Sequence, residues 1–142
     1  MERLFGEFIG GRGAIGLLIV RLIFGLGIML HGWPKIQKPL SWMGPEAPVP
    51  GFLQLLAAVS EFGGGLALII GLLTPLAMFG LACTMLVAIF TVHVPRGDPF
   101  VNSRGPSFEL AALYLAISLL IMLSGPGMLS LDARLFARRR RA

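Results

Sequence analysis

Residues 52–94 read FLQLLAAVSEFGGGLALIIGLLTPLAMFGLACTMLVAIFTVHV. About 20 mostly apolar residues carry a helix across a bilayer. This stretch therefore holds two spans, Phe52 to Leu73 and Pro75 to Val94, joined around Thr74. Proline suits the first turn of a helix, so Pro75 marks the start of the second. The two must form a tight antiparallel hairpin. Working outward, one apolar segment precedes the hairpin, about Ala14 to Gly32, and another follows it, about Phe108 to Ser124. The fold expected is all-α: a bundle of four transmembrane helices in a single domain covering 1–142.

Composition agrees. Hydrophobic residues make up 56% of the chain and charged residues 13%, about half the charge of an ordinary soluble domain. The missing charge is explained if most of the surface faces lipid. The net charge of +5 does not point to nucleic acid. Much of it sits in one run, Arg138 to Arg141, beside a hydrophobic segment, as topology signals and contacts with anionic headgroups do. The first apolar segment contains Arg21 and lacks a small-residue cleavage site, so it reads as a retained helix rather than a signal peptide.

The longer connections, Trp33 to Gly51 and Pro95 to Ser107, are rich in proline and glycine and lie on one side of the membrane. Counting Lys and Arg in the flanks sets the orientation. Arg3, Arg12, Arg134 and Arg138 to Arg141 fall on the side of the termini, seven in all, against four, Lys35, Lys38, Arg96 and Arg104, on the other. Both termini are expected in the cytoplasm. After the fourth span, Gly125-Pro126-Gly127 stops the helix. Ser130 then caps a short interfacial helix, Leu131 to Arg140, within a basic tail, 131–142.

Ionisable groups inside spans are costly and normally face partners. Arg21 lies near the middle of the first span and Glu61 near the middle of the second. An intramembrane ion pair between them is the simplest expectation, with Ala14, Gly25, Gly32, Ala57, Ala58, Gly64 and Gly65 allowing close helix approach. The pair either locks two helices together or binds a polar ligand group and relays protons. At the outer ends, His31, Lys35, His93 and Glu109 form a candidate polar pocket. The possible metal ligands among them, His31, His93 and Glu109, come from three helices without an i,i+4 motif, so no metal is expected there. Cys83 is the single cysteine. It excludes an internal disulfide or a CxxC pair and reads as a packing residue. No Walker loop, dinucleotide fingerprint or nucleophile elbow is present, so the chain has no self-contained catalytic motif.

Several short pieces occur in a telling order. They are Arg21-Leu22 with Gly25, then His31-Gly32 followed by Lys35. Glu61-Phe62-Gly63-Gly64-Gly65-Leu66-Ala67-Leu68 leads into Gly71-Leu72-Leu73-Thr74-Pro75. Glu109-Leu110, Gly125-Pro126-Gly127 and Ser130-Leu131-Asp132 close the set. On these pieces the chain resembles the DoxX family of small bacterial membrane proteins. The resemblance implies a four-helix bundle in the bacterial cytoplasmic (inner) membrane and a role near respiration, thiosulfate or thiol redox balance. The function expected is a membrane subunit of an oxidoreductase system linked to quinone, with a soluble or membrane partner bringing the electrons. Alternatives are a small-solute or lipid binder or transporter, which with so few spans would need to form a homo-oligomer, and a membrane scaffold for soluble redox enzymes.

Overall fold

Inside a bilayer each backbone N–H and C=O must be satisfied within the protein, and a helix does this within one segment. The computed structural model describes residues 8–137, and among them the elements are helices, with no strand. In chain order they are α1 Gly11–Gln37, α2 Gly51–Ile70, α3 Thr74–Arg96, α4 Glu109–Ser124 and α5 Leu131–Phe136. By length and apolar character α1, α2 and α3 can each cross a membrane, whereas α4, with 16 residues, is shorter.

The boundaries differ from expectation in informative ways. α1 continues past Gly32 for five residues, through Trp33 and Pro34. A proline inside a helix removes one backbone hydrogen bond, and here the helix carries on regardless, so Lys35 is helical rather than part of a loop. α2 stops at Ile70, because Gly71 adopts a left-handed conformation (φ 68°) and Leu72 N donates back to Ala67 O at 2.9 Å. The hairpin turn is therefore Gly71 to Leu73, and Thr74 already opens α3. Within α3, residues Ile89–His93 form a π-helical turn in which Val94 N donates five residues back to Ile89 O. Pro95 follows it and has no N–H to give. α5 begins on the expected Ser130 cap, whose Oγ accepts from Ala133 N at 3.1 Å. It ends at Phe136, with Ala137 extended, rather than reaching Arg140. Arg3 and the Arg138 to Arg141 run lie outside the described residues.

α2 packs between α1 and α3, and α3 packs on α4. Phe24 and Tyr114 meet edge to face at 5.0 Å and link α4 back to α1. The core is Phe24, Ile28, Leu68, Met78, Leu81, Met85 and Ile121. Around it the polarity is inverted relative to a soluble protein. Arg21, Gln54, Glu61, Thr74, Ser118 and Asp132 are buried, while Ile23, Leu30, Phe52, Leu76, Phe90 and Leu123 are exposed. Such an arrangement suits a hydrocarbon surround, where burying apolar groups against each other gains little and pairing polar groups gains much.

The register of α1 against α2 is set by backbone contact. A Cβ on Gly65 would lie 2.7 Å from Gly25 O, and one on Gly25 would lie 2.9 Å from Gly65 O. Further along, a Cβ on Gly32 would collide with the backbone at Glu61 and Phe62. Only glycine permits this approach. Gly65→Leu is expected to cost about 1–3 kcal/mol or more by overpacking, read as a lower melting temperature in detergent. Gly63→Ala, whose added carbon meets only Val59 at 4.0 Å, should leave the melting temperature nearly unchanged.

Candidate functional site

Two buried polar centres lie at opposite ends of the α1–α2 interface. At the end near the hairpin turn, Arg21 is 1% exposed and its guanidinium is spent on carbonyl oxygens. Nε donates to Leu68 O at 2.9 Å and Nη2 to Ile69 O at 3.1 Å. Nη1 donates to Pro126 O at 3.0 Å and to Leu129 O at 2.8 Å. Leu68 and Ile69 are in the last turn of α2, where carbonyls lose their i+4 donors; Leu68 O is shared with Gly71 N at 3.1 Å, and a cation there also complements the helix dipole. Asp132 performs the opposite service for α3. Its Oδ1 accepts from Leu73 N at 2.8 Å and its Oδ2 from Thr74 N at 2.9 Å. These bonds hold Leu73 in a left-handed conformation (φ 49°), unusual for a residue with a side chain. Gly71 is doubly constrained, since a Cβ there would strike the Arg21 guanidinium and Ser130. Arg21 and Asp132 thus knit α1, the hairpin turn and the segment after α4 into one structural knot.

The second centre overturns the expected Arg21–Glu61 pair. Glu61 Oε1 instead accepts from Lys35 Nζ at 2.6 Å. The physical reason is register. The Gly25–Gly65 and Gly32–Glu61 contacts place Glu61 level with Gly32. That is eleven residues beyond Arg21, about 16 Å along a helix that rises 1.5 Å per residue. Lys35, one turn past Gly32, reaches it easily. Its ammonium also sits over the Trp42 ring, 4.4 Å from the centroid, a cation–π contact.

This pair forms part of the wall of a cavity of about 340 Å³ between α2, α3 and the 38–50 loop. The loop is pinned by buried Gln54. Its Oε1 accepts from Met43 N at 3.0 Å, its Nε2 donates to Val49 O at 2.9 Å, and its carbonyl accepts from Trp42 Nε1 at 3.0 Å. Ser60, Cys83, Thr84 and Thr91 also line the space, the last from the π-helical turn. Such turns recur at functional sites. The remaining walls are apolar, and Leu53, Leu56, Phe79 and Val87 are at once cavity-lining and exposed, so the space opens through the apolar flank of the bundle. Glu61 is 2% exposed, yet its Oε2 is buried without a hydrogen-bond partner. Among the described residues only Thr74 Oγ1, at the far end of the bundle, shares that condition.

The other expected pocket residues do not join it. His31 is exposed and lies edge-on to Tyr114 at 5.9 Å. His93 Nδ1 lies 2.8 Å from Asp98 Oδ2, in its own loop. Glu109, at the start of α4, is absent from the cavity wall. Of the set His31, Lys35, His93 and Glu109, only Lys35 reaches the cavity. Among the described residues no group of three His, Cys, Asp or Glu is placed to hold a metal. Gln54 and Asp132 carry organising roles that sequence reasoning missed. Their partners are backbone groups, which no side-chain pattern reveals.

A family model, DoxX, matches residues 16–94. The chain belongs to the DoxX family. The matched stretch contains each residue named in the cavity wall. Three relatives align over most of their lengths. An uncharacterized protein of Haemophilus influenzae is 34% identical over 124 residues, 86% of this chain and 92% of its own. Inner membrane protein YqjF of Escherichia coli is 35% identical over 129 residues, covering 83% and 90%. The Bacillus subtilis protein named "Putative oxidoreductase CatD" is 30% identical over 125 residues, covering 86% and 88%. No solved structure shows a significant match. The chain is thus a DoxX-family membrane protein, with several helices apolar enough to cross a bilayer.

Double-mutant cycles separate the two centres. Arg21→Leu and Glu61→Gln should destabilise additively, within about 0.3–0.5 kcal/mol, as distant sites do. Lys35→Met and Glu61→Gln should show a coupling of about 0.5–3 kcal/mol. Both are read from thermal unfolding in detergent.

Proposed function

We propose that this DoxX-family protein is a membrane subunit of an oxidoreductase system that binds a quinone-type ring in the cavity beside Lys35 and Glu61. The observation that carries the reading is the cavity's division of chemistry: apolar walls open to the lipid side, and one ion pair at the inner wall, its carboxylate buried and its ammonium partly exposed. A membrane quinone has a polar ring and a long apolar tail, and it fits that division. Lys35 has three N–H groups. One goes to Glu61, which leaves donors for a ring oxygen, and Trp42 fixes the position of the ammonium. A quinone, when bound, supplies a two-electron carrier that moves within the bilayer. Cys83 is the single cysteine of the chain, so electrons are not stored in an internal disulfide, and a soluble or membrane partner supplies or removes them. The oxidoreductase name carried by CatD agrees with this reading. The other basic side chains of the bundle do not reach a ring in this cavity. Arg21 makes four bonds to carbonyls at the other end of the interface and His31 and His93 are elsewhere, so the role falls to Lys35.

The protein sits, on this reading, in the bacterial cytoplasmic membrane, as the relative YqjF does by name. α4, about 24 Å long at 1.5 Å per residue, completes four spans together with its flanks. Both termini face the cytoplasm by the charge count. In a Cys83→Ala background, an impermeant thiol reagent should label a cysteine at position 46 in intact cells and leave one at position 134 unlabelled. The reverse pattern would invert the topology.

Purification in mild detergent followed by extraction should recover quinone with the wild-type protein. The yield should fall at least about tenfold in Lys35→Met, the loss of one charge-assisted hydrogen bond. Recovery of phospholipid alone would replace this reading with a lipid binder.

A further inference from the structure

An oxidised quinone and Glu61 are chemically mismatched. The ring oxygens of a quinone are acceptors only, and so is an ionised carboxylate. Glu61 Oε1 is satisfied by Lys35, but Oε2 is buried with no donor, a condition that costs free energy until a donor arrives. The other polar groups of the wall do not supply one. Gln54 spends its amide on the loop, Trp42 Nε1 donates to Gln54 O, and Thr84 Oγ1 donates to Gly80 O within α3. Ser60 carries a hydroxyl that can serve either role and so does not discriminate. Lys35 keeps two further N–H groups and Ser60 its hydroxyl, but neither is bonded to Oε2, so a hydroxyl of the ligand can complete it.

We infer that the cavity between α2 and α3 selects the reduced, hydroxyl-bearing form of the ring, a quinol, over the oxidised quinone. One ring O–H donates to Glu61 Oε2, and the second ring oxygen accepts from Lys35 Nζ. This inference rests on the quinone reading above and adds the redox form and the residue that chooses it. A hydroxyl bonded to a carboxylate is a charge-assisted hydrogen bond, stronger than a neutral one. A quinone carbonyl in the same place would set acceptor against acceptor. The exposed rim of Leu53, Leu56, Phe79 and Val87 gives a tail a route into the lipid, so the ligand is the quinol of the membrane pool rather than a small free phenol.

The test is equilibrium binding to the purified full chain in lipid nanodiscs, with a short-tailed ubiquinone added oxidised or, anaerobically, reduced. Tail-less hydroquinone forms a third arm. The reduced tail-bearing form should bind wild type at least about tenfold tighter than the oxidised form, and tighter than tail-less hydroquinone. Glu61→Gln should erase the preference, because an amide N–H can donate to a quinone carbonyl. Lys35→Met combined with Glu61→Gln removes both charges and should erase it too, should the single variant not fold. If the oxidised form binds wild type as tightly or tighter, the selectivity is overturned and the quinone reading stands. If neither form binds, the quinone reading itself falls. A preference that survives in both variants rules out Glu61 as the selecting residue, and equal affinity for the tail-less ring rejects the membrane pool as its source.

Discussion

The contact of bare backbone between α1 and α2 governs the arrangement of everything else. Where Gly25 meets Gly65, each helix comes close enough that a single Cβ would fall inside van der Waals distance of a carbonyl oxygen. In lipid the attraction between helices comes from packing and polar contact rather than from expulsion of water, so such a glycine contact fixes register firmly. Once it is fixed, Gly32 lies against Glu61, Lys35 falls within reach of the carboxylate, and Arg21 is carried to the opposite end, against the last carbonyls of α2.

Polar groups are divided accordingly. At the turn end they saturate backbone. Arg21 caps a helix C-terminus and Asp132 caps a helix N-terminus, each where the dipole favours its sign. The Asp132 carboxylate and most of the Arg21 guanidinium are bonded to backbone, and only the Thr74 hydroxyl is left without a partner among the described residues of this end. At the other end the pair is incomplete. Lys35 keeps donors in reserve, Glu61 keeps an oxygen without one, and a loop pinned by Gln54 covers them without filling the space. A structural knot and a binding site use the same residue types and differ in whether the valences are satisfied.

The expectation of an Arg21–Glu61 pair shows where sequence reasoning runs out. Both residues lie near the middle of their apolar segments, which by itself suggests that they meet. Ending the first span before Pro34 leaves Lys35 in a loop, whereas α1 runs on to Gln37; the axial offset of the two helices, with Glu61 level with Gly32, is what keeps Arg21 and Glu61 apart. The spacing of Gly25 and Gly32, seven residues apart with Lys35 one turn further on, carried the needed information. It specified a face of α1, but not which residue of α2 that face would meet.

The sequence by itself determined the apolar helices, the hairpin between α2 and α3, the Ser130 cap and the membership signalled by the glycine-rich Glu61 to Leu68 stretch. These follow from local composition and from glycine and proline chemistry, which act over a few residues. Tertiary structure alone decided which buried charge meets which, why His31, His93 and Glu109 stay apart, and where a cavity forms. Those outcomes depend on the axial offset between helices. A slip of a few residues alters no helix and no hydropathy pattern, yet it exchanges every partner across the interface.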